Sequence, residues 1–165
     1  MRIVLSLLVD NTAGVLSRVS GLFSRRGYNI ESLTVGATLN PNYSRMTVVS
    51  VGDEEVLEQV EKQLRKLEDV KDIKALHEKQ SVFRELIMVK VRANVNQRQA
   101  IAAVAEIFRA AIVDVAKDSL TVMLTGDNDK LEALIGLLEE YEILELARTG
   151  LTGLSRGSED VRYLP

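Results

Sequence analysis

The sequence has no cysteine, no tryptophan and a single histidine. Without cysteine there is no disulfide framework and no thiolate metal site, which accords with a cytoplasmic protein. No apolar run approaches the ~20 residues that span a bilayer. The N-terminal stretch Met1 to Asp10 has one basic residue and a short apolar run, but no small-x-small cleavage site follows it, so it reads as a buried strand. Excess positive charge is missing too. The net charge is −3, residues 1–78 carry 10 Lys and Arg against 11 Asp and Glu, and residues 79–165 carry 11 against 13. Neither half has the basic footprint of a nucleic-acid or anionic-membrane binder. Patterns for a Walker A loop, a G-x-G-x-x-G turn, a G-x-S-x-G elbow or an H-E-x-x-H zinc helix are all absent. His77, alone and without a cysteine partner, reads as structural. Asp127-Asn128-Asp129 lacks the glycine and distal glutamate of a calcium loop and reads as a helix start. Nothing assembles a nucleophile with a base, and the chain is expected to be non-catalytic.

What is present is ordered. A hydrophobic content of 46% with 27% charged residues is that of a globular chain. Ile3 to Val9 is a near-continuous apolar run, a buried strand. After the polar break Asp10 to Gly14, residues Val15, Leu16, Val19, Leu22 and Phe23 recur at helical spacing, and Arg25-Arg26-Gly27 ends that helix. Strands are expected over residues 28–38 and 45–51, a helix opened by Asp53 with apolar positions out to Leu67, and a strand over residues 70–76. The order β-α-β-β-α-β then repeats. Strands over residues 86–91, 112–115, 120–124 and 143–146 alternate with helices opened by Asn96-x-x-Gln99, a capping-box spacing, and by Asp127. Residues 150–157 and the charged end read as a tail. The expected fold is α+β, two ferredoxin-like units, residues 1–78 and 79–165, joined around residues 77–83. Each such sheet carries both helices on one face. Because Leu5 to Val9 and Ile87 to Val91 are apolar on both sides in places, the other faces or the edges call for cover by another domain or subunit, most simply in a two-fold dimer.

The segments that could bind something are Asp10-Asn11-Thr12-Ala13-Gly14-Val15-Leu16 and Arg26-Gly27-Tyr28-Asn29-Ile30. Gly14 permits close approach of backbone to a ligand or a second chain. Free N–H groups of a first helical turn can hold a carboxylate. Asn11 and Asn29 each offer a donor and an acceptor. The same residues serve equally as a helix cap and two turns, and local chemistry leaves both readings open.

The run from Asp10-Asn11-x-x-Gly14-Val15-Leu16 through Arg26-Gly27-Tyr28-Asn29-Ile30-Glu31-Ser32-Leu33-Thr34-Val35 resembles the N-terminal ACT domain of acetolactate synthase small subunits. Ser44 to Thr47, the helix from Asp53 to Leu67, Arg84-Glu85-Leu86, Ile107-Phe108-Arg109, Ile112 to Val115 and Ala147 to Gly157 continue the resemblance over nearly the whole chain. It implies a regulatory subunit that binds and activates a separate catalytic subunit and makes it sensitive to valine. Thiamine diphosphate, magnesium and FAD would belong to that partner, and this chain would hold no cofactor. It further implies homodimers paired through their ACT domains, with the effector between them. The implied effector residues are Asn11, Ala13, Gly14, Val15 and Leu16 of one protomer with Asn29 and Ile30 of the other. Leu33 is a further apolar candidate. A methylene is worth only ~1–3 kcal/mol of discrimination, so valine would be preferred over leucine and isoleucine, not exclusive. Residues 79–165 would relay the signal or help hold the catalytic subunit. An RNA-recognition motif shares the strand and helix order, but residues 45–51 lack the stacking aromatics of its third strand. A metal chaperone of this topology would need cysteine pairs. An ACT sensor serving a different enzyme is the remaining alternative.

Overall fold

The structure is a computed structural model that describes residues 1–158. The expected fold class is observed: two antiparallel sheets, each with two helices. The chain forms two compact units, residues 1–83 together with the described residues from Leu151 onward, and residues 84–150. The division expected at residues 78 and 79 differs from this. Phe83 packs with Val4, Val49, Leu76 and Leu151, which ties residues on both sides of the second unit to the first.

In the first unit β1 (Arg2–Asp10) leads through α1 (Val15–Arg25) to β2 (Ile30–Ala37) and β3 (Tyr43–Val51), then through α2 (Glu54–Leu64) to β4 (Val70–Ala75). The strand order is β2-β3-β1-β4, so β2 and β4 are edges. Period-2 alternation sends Ile3, Leu5, Leu7 and Val9 toward the helices, where they meet Val15, Val19, Leu22 and Phe23 of α1 and Val60 and Leu64 of α2. Gly27, at φ 72°, makes the left-handed stop after α1 that its sequence announces. Asp53 caps α2, its side chain accepting from the Val56 N–H at 2.9 Å. The helix ends at Leu64, one turn short of Leu67, because Lys66 and Leu67 tighten into turn hydrogen bonds to the carbonyls of Gln63 and Leu64.

In the second unit β5 (Ser81–Arg92), α3 (Arg98–Ile107), β6 (Ala111–Val115), β7 (Ser119–Gly126), α4 (Asn128–Leu138) and β8 (Ile143–Arg148) build a sheet of order β6-β7-β5-β8. Ile87, Val89 and Val91 are buried against Ile101, Leu131, Leu134 and Leu138, whereas Met88 between them is exposed. That run therefore has one buried face, not two. Asp127 caps α4 as expected. The expected capping box at Asn96 and Gln99 does not form. The reciprocal pair is Asn94 and Gln97, whose backbone N–H groups each donate to the other's side-chain oxygen at 3.0 and 2.9 Å. The same x-x spacing is met two residues earlier in the chain.

Residues 150–157 are not a tail throughout. β9 (Thr152–Ser155) pairs with β5, and Leu151 and Gly153 are buried. The charged end from residue 159 lies outside the described residues. Truncating Leu7, fully buried at the centre of the first core, to alanine is expected to cost about 2–5 kcal/mol in urea or thermal unfolding. A loss below about 1 kcal/mol would mean the core is not packed as described.

Candidate functional site

α1 begins without a side-chain cap. Its N-cap residue is Gly14, at φ 87°, and the first turn holds no acidic residue. Neither the cap residue nor the first turn supplies a side-chain acceptor for the N–H groups of that turn, in contrast to the aspartate caps of α2 and α4. A non-glycine residue in the left-handed conformation at position 14 would be strained by roughly 1–2 kcal/mol. Its Cβ would also come within 2.7 Å of the Arg18 guanidinium.

Arg18, one turn along, arches over Gly14 and forms a two-point pair with Asp69, Nε to Oδ2 and Nη2 to Oδ1 at 3.1 Å. Sequence reading missed this pair. The signal available was Arg18 at i+4 from the glycine, but Asp69 is distant in the chain. The hydrogen bond from Arg18 and its positive charge hold the Asp69 carboxyl below its ordinary value.

The expected residues divide in their roles. Asn11, Ala13 and Leu16 are exposed around the helix start. Asn11 is anchored by its own backbone N–H to the Asn42 carbonyl at 2.8 Å and by Nδ2 to the Pro41 carbonyl at 2.9 Å. That leaves its side-chain oxygen as the principal free group. Val15 is buried in the core, so only its backbone N–H faces the site and its side chain does not line it. Asn29 is exposed, with its carbonyl accepting from Ser50 Oγ at 2.6 Å. Ile30 and Leu33 lean on the core from β2.

One chain does not bring the two groups together. Val9 stands opposite Ser44 on β3, and Ile30 stands opposite Ser50. That span along β3 corresponds to roughly 20 Å at ~3.3 Å per residue. Asn11 and Asn29 thus lie at opposite ends of one sheet, next to an edge strand, β2, that has β3 as its ladder partner. The other face of the same sheet carries an open groove of about 640 Å³, whose lining includes Leu8, Tyr43, Arg45 and Leu154. His77 is exposed beside a short 3-10 turn (Glu78–Gln80). Among the described residues no group of three or more His, Asp or Glu side chains is placed to hold a metal ion.

Comparison with known proteins bears on the whole chain. Residues 84–157 match the family model for the small subunit of acetolactate synthase, and residues 5–72 match that of the small subunit-like ACT domain. The acetolactate synthase small subunit of Haemophilus influenzae is 50% identical over 98% of this chain and 99% of its own length. The chain belongs to the acetolactate synthase small-subunit family. A probable small subunit from Methanothermobacter thermautotrophicus is 51% identical over 94% of this chain and 93% of its own. The crystal structure of the Thermotoga maritima small subunit superposes with a TM-score of 0.90 at 38% identity, covering 96% of this chain and 99% of that one. The first unit is accordingly an ACT domain, and family membership sets aside an ACT sensor for an unrelated enzyme.

The lowered Asp69 value fixes the sign of one pH effect. A carboxyl that holds its proton less tightly when folded stabilises the fold above its unfolded value, and that contribution is lost as pH falls through the lowered folded value. Melting temperature followed from neutral to acid pH is expected to fall less steeply for Asp69→Asn than for the parent chain. Parallel acid limbs would show that the pair makes no contribution in solution.

Proposed function

We propose that this chain binds and activates the catalytic subunit of acetolactate synthase and confers feedback inhibition by valine in branched-chain amino-acid biosynthesis. The observation that carries the effector part is the bare start of α1, where a glycine cap leaves backbone donors facing outward between exposed Asn11 and Leu16. A carboxylate placed there gains from the helix dipole, ~0.3–1 kcal/mol, and from charge-assisted hydrogen bonds worth ~1.5–3 kcal/mol.

The second half of the site comes from a second copy. Two sheets set side by side through their β2 edges, antiparallel about a two-fold axis, bring the Asn29 end of one toward the Asn11 end of the other. The ammonium of valine meets the side-chain oxygens of Asn11 and of the partner's Asn29. Its isopropyl group meets Leu16 and the partner's Ile30. Valine acts by binding two arrangements of the complex unequally, with a coupling of ~1–3 kcal/mol. The chemistry of pyruvate condensation stays with the catalytic subunit, in the cytoplasm, together with thiamine diphosphate, magnesium and FAD. The second unit, residues 84–150, relays the signal or helps hold the partner.

Calorimetric titration of valine into the chain, alone and with its catalytic subunit, is expected to give saturable binding that alanine and glutamate do not reproduce. Gly14→Asp places a second negative charge on the bare N–H groups and crowds the ligand. The variant should stay folded and activate the enzyme while losing valine inhibition. Full valine inhibition in that variant would overturn the site.

A further inference from the structure

The C-terminal segment from Leu151 to Ser155 lies on the face of the first sheet opposite its helices. Leu151 is buried there with Val4 of β1, Val49 of β3, Leu76 and Phe83. Both of its backbone polar groups are taken by β2: its N–H donates to Ser32 Oγ at 2.7 Å, and its carbonyl accepts from Thr34 Oγ1 at 3.1 Å. Lys74 Nζ of β4 donates to Ser155 Oγ at 2.8 Å, and the Arg156 N–H donates to the Gln80 carbonyl at 2.8 Å. The segment thus holds both edges of the sheet at once. Gly153 fits under Phe83 so closely that a Cβ would lie 2.4 Å from the ring.

β2, like β4, has a ladder neighbour on one side only. It is an edge, its pairing with β3 shifts register between Ile30 and Ser32, and its outer half is exposed. Strands of that kind sit at the low end of local stability. Two residues beyond Ile30, the segment grips Ser32, and two residues further it grips Thr34.

We infer that residues 151–155 act as a strap that sets the position of β2 and thereby the affinity of the effector site at its start. This rests on the effector reading given above. Valine seated against Asn29 and Ile30 and the strap seated on Ser32 and Thr34 favour the same placement of one strand, so each strengthens the other. Thermodynamic linkage makes the two effects equal: the factor by which losing the strap weakens valine is the factor by which valine closes the strap.

The test uses the full chain. Leu151→Ala removes the buried side chain but leaves its two backbone hydrogen bonds available, and Gly153→Val drives a branched side chain into Phe83. Hydrogen exchange of residues 151–155 is followed with and without valine, and the valine Kd is measured for each variant. Valine is expected to slow exchange in the strap of the parent chain, and both variants to raise the Kd, about 5–150-fold for full release of the strap. Exchange in β1 checks that the fold persists, and should Gly153→Val fail to fold, Leu151→Ala carries the test. A strap that exchanges freely in a variant whose valine Kd is unchanged overturns the inference alone. A parent chain that binds no valine, with or without its catalytic subunit, overturns it together with the effector reading.

Discussion

Every residue of β1 from Ile3 to Val9 is buried, and this places a demand on the sheet that its own helices cannot meet. Two helices cover one face, where Leu5, Leu7 and Val9 lie among Val19, Phe23 and Leu64. The alternate residues Val4, Ser6 and Leu8 point the other way and are just as inaccessible. A strand with no wetted side has to be enclosed by something distant in sequence. Here part of that cover is the chain's own segment around Leu151. Buried polar side chains on that face are bonded within it, Arg45 Nη1 donating to Ser6 Oγ at 2.8 Å beside the open groove. The second unit faces a milder version of the problem. Met88, the counterpart on its central strand, remains exposed.

Once β1 and β3 are fixed from both sides, the remaining freedom lies at the edges. β2 has one ladder neighbour and an irregular register. It also carries Ile30 and follows Asn29, while the bare helix start lies at the far end of the sheet. An effector site of the kind proposed above, with residues at opposite ends of one sheet, would not close on a single copy. On that proposal, assembly and effector binding would be one event.

Much of this was legible in the sequence because it is local. Asp53 and Asp127 mark helix starts, Gly27 marks a stop, and the period-2 runs mark the central strands. The misplaced capping box was also a local reading, defeated by Asn and Gln meeting the same spacing twice within residues 94–99. The segment at 151–155 was misread for a different reason. With Gly150, Gly153 and Gly157 the stretch has the composition of a loop, and its anchoring depends on Ser32 and Thr34, more than a hundred positions away. No local pattern carries that information. The same holds for Arg18 and Asp69.

The four helix starts provide an internal comparison. α2 and α4 open on aspartates that accept from the N–H three residues on, and α3 follows the reciprocal Asn94 and Gln97 pair. α1 alone among the four opens on a glycine in a left-handed conformation, with no acidic residue in its first turn. A capping side chain is worth about 1 kcal/mol, so α1, like α3, forgoes stability that α2 and α4 take. The sheet offsets this, since Val15, Val19, Leu22 and Phe23 anchor the helix by burial. A helix held by its apolar face does not need its first turn satisfied internally. On the reading proposed above, that turn is left free to satisfy a ligand instead.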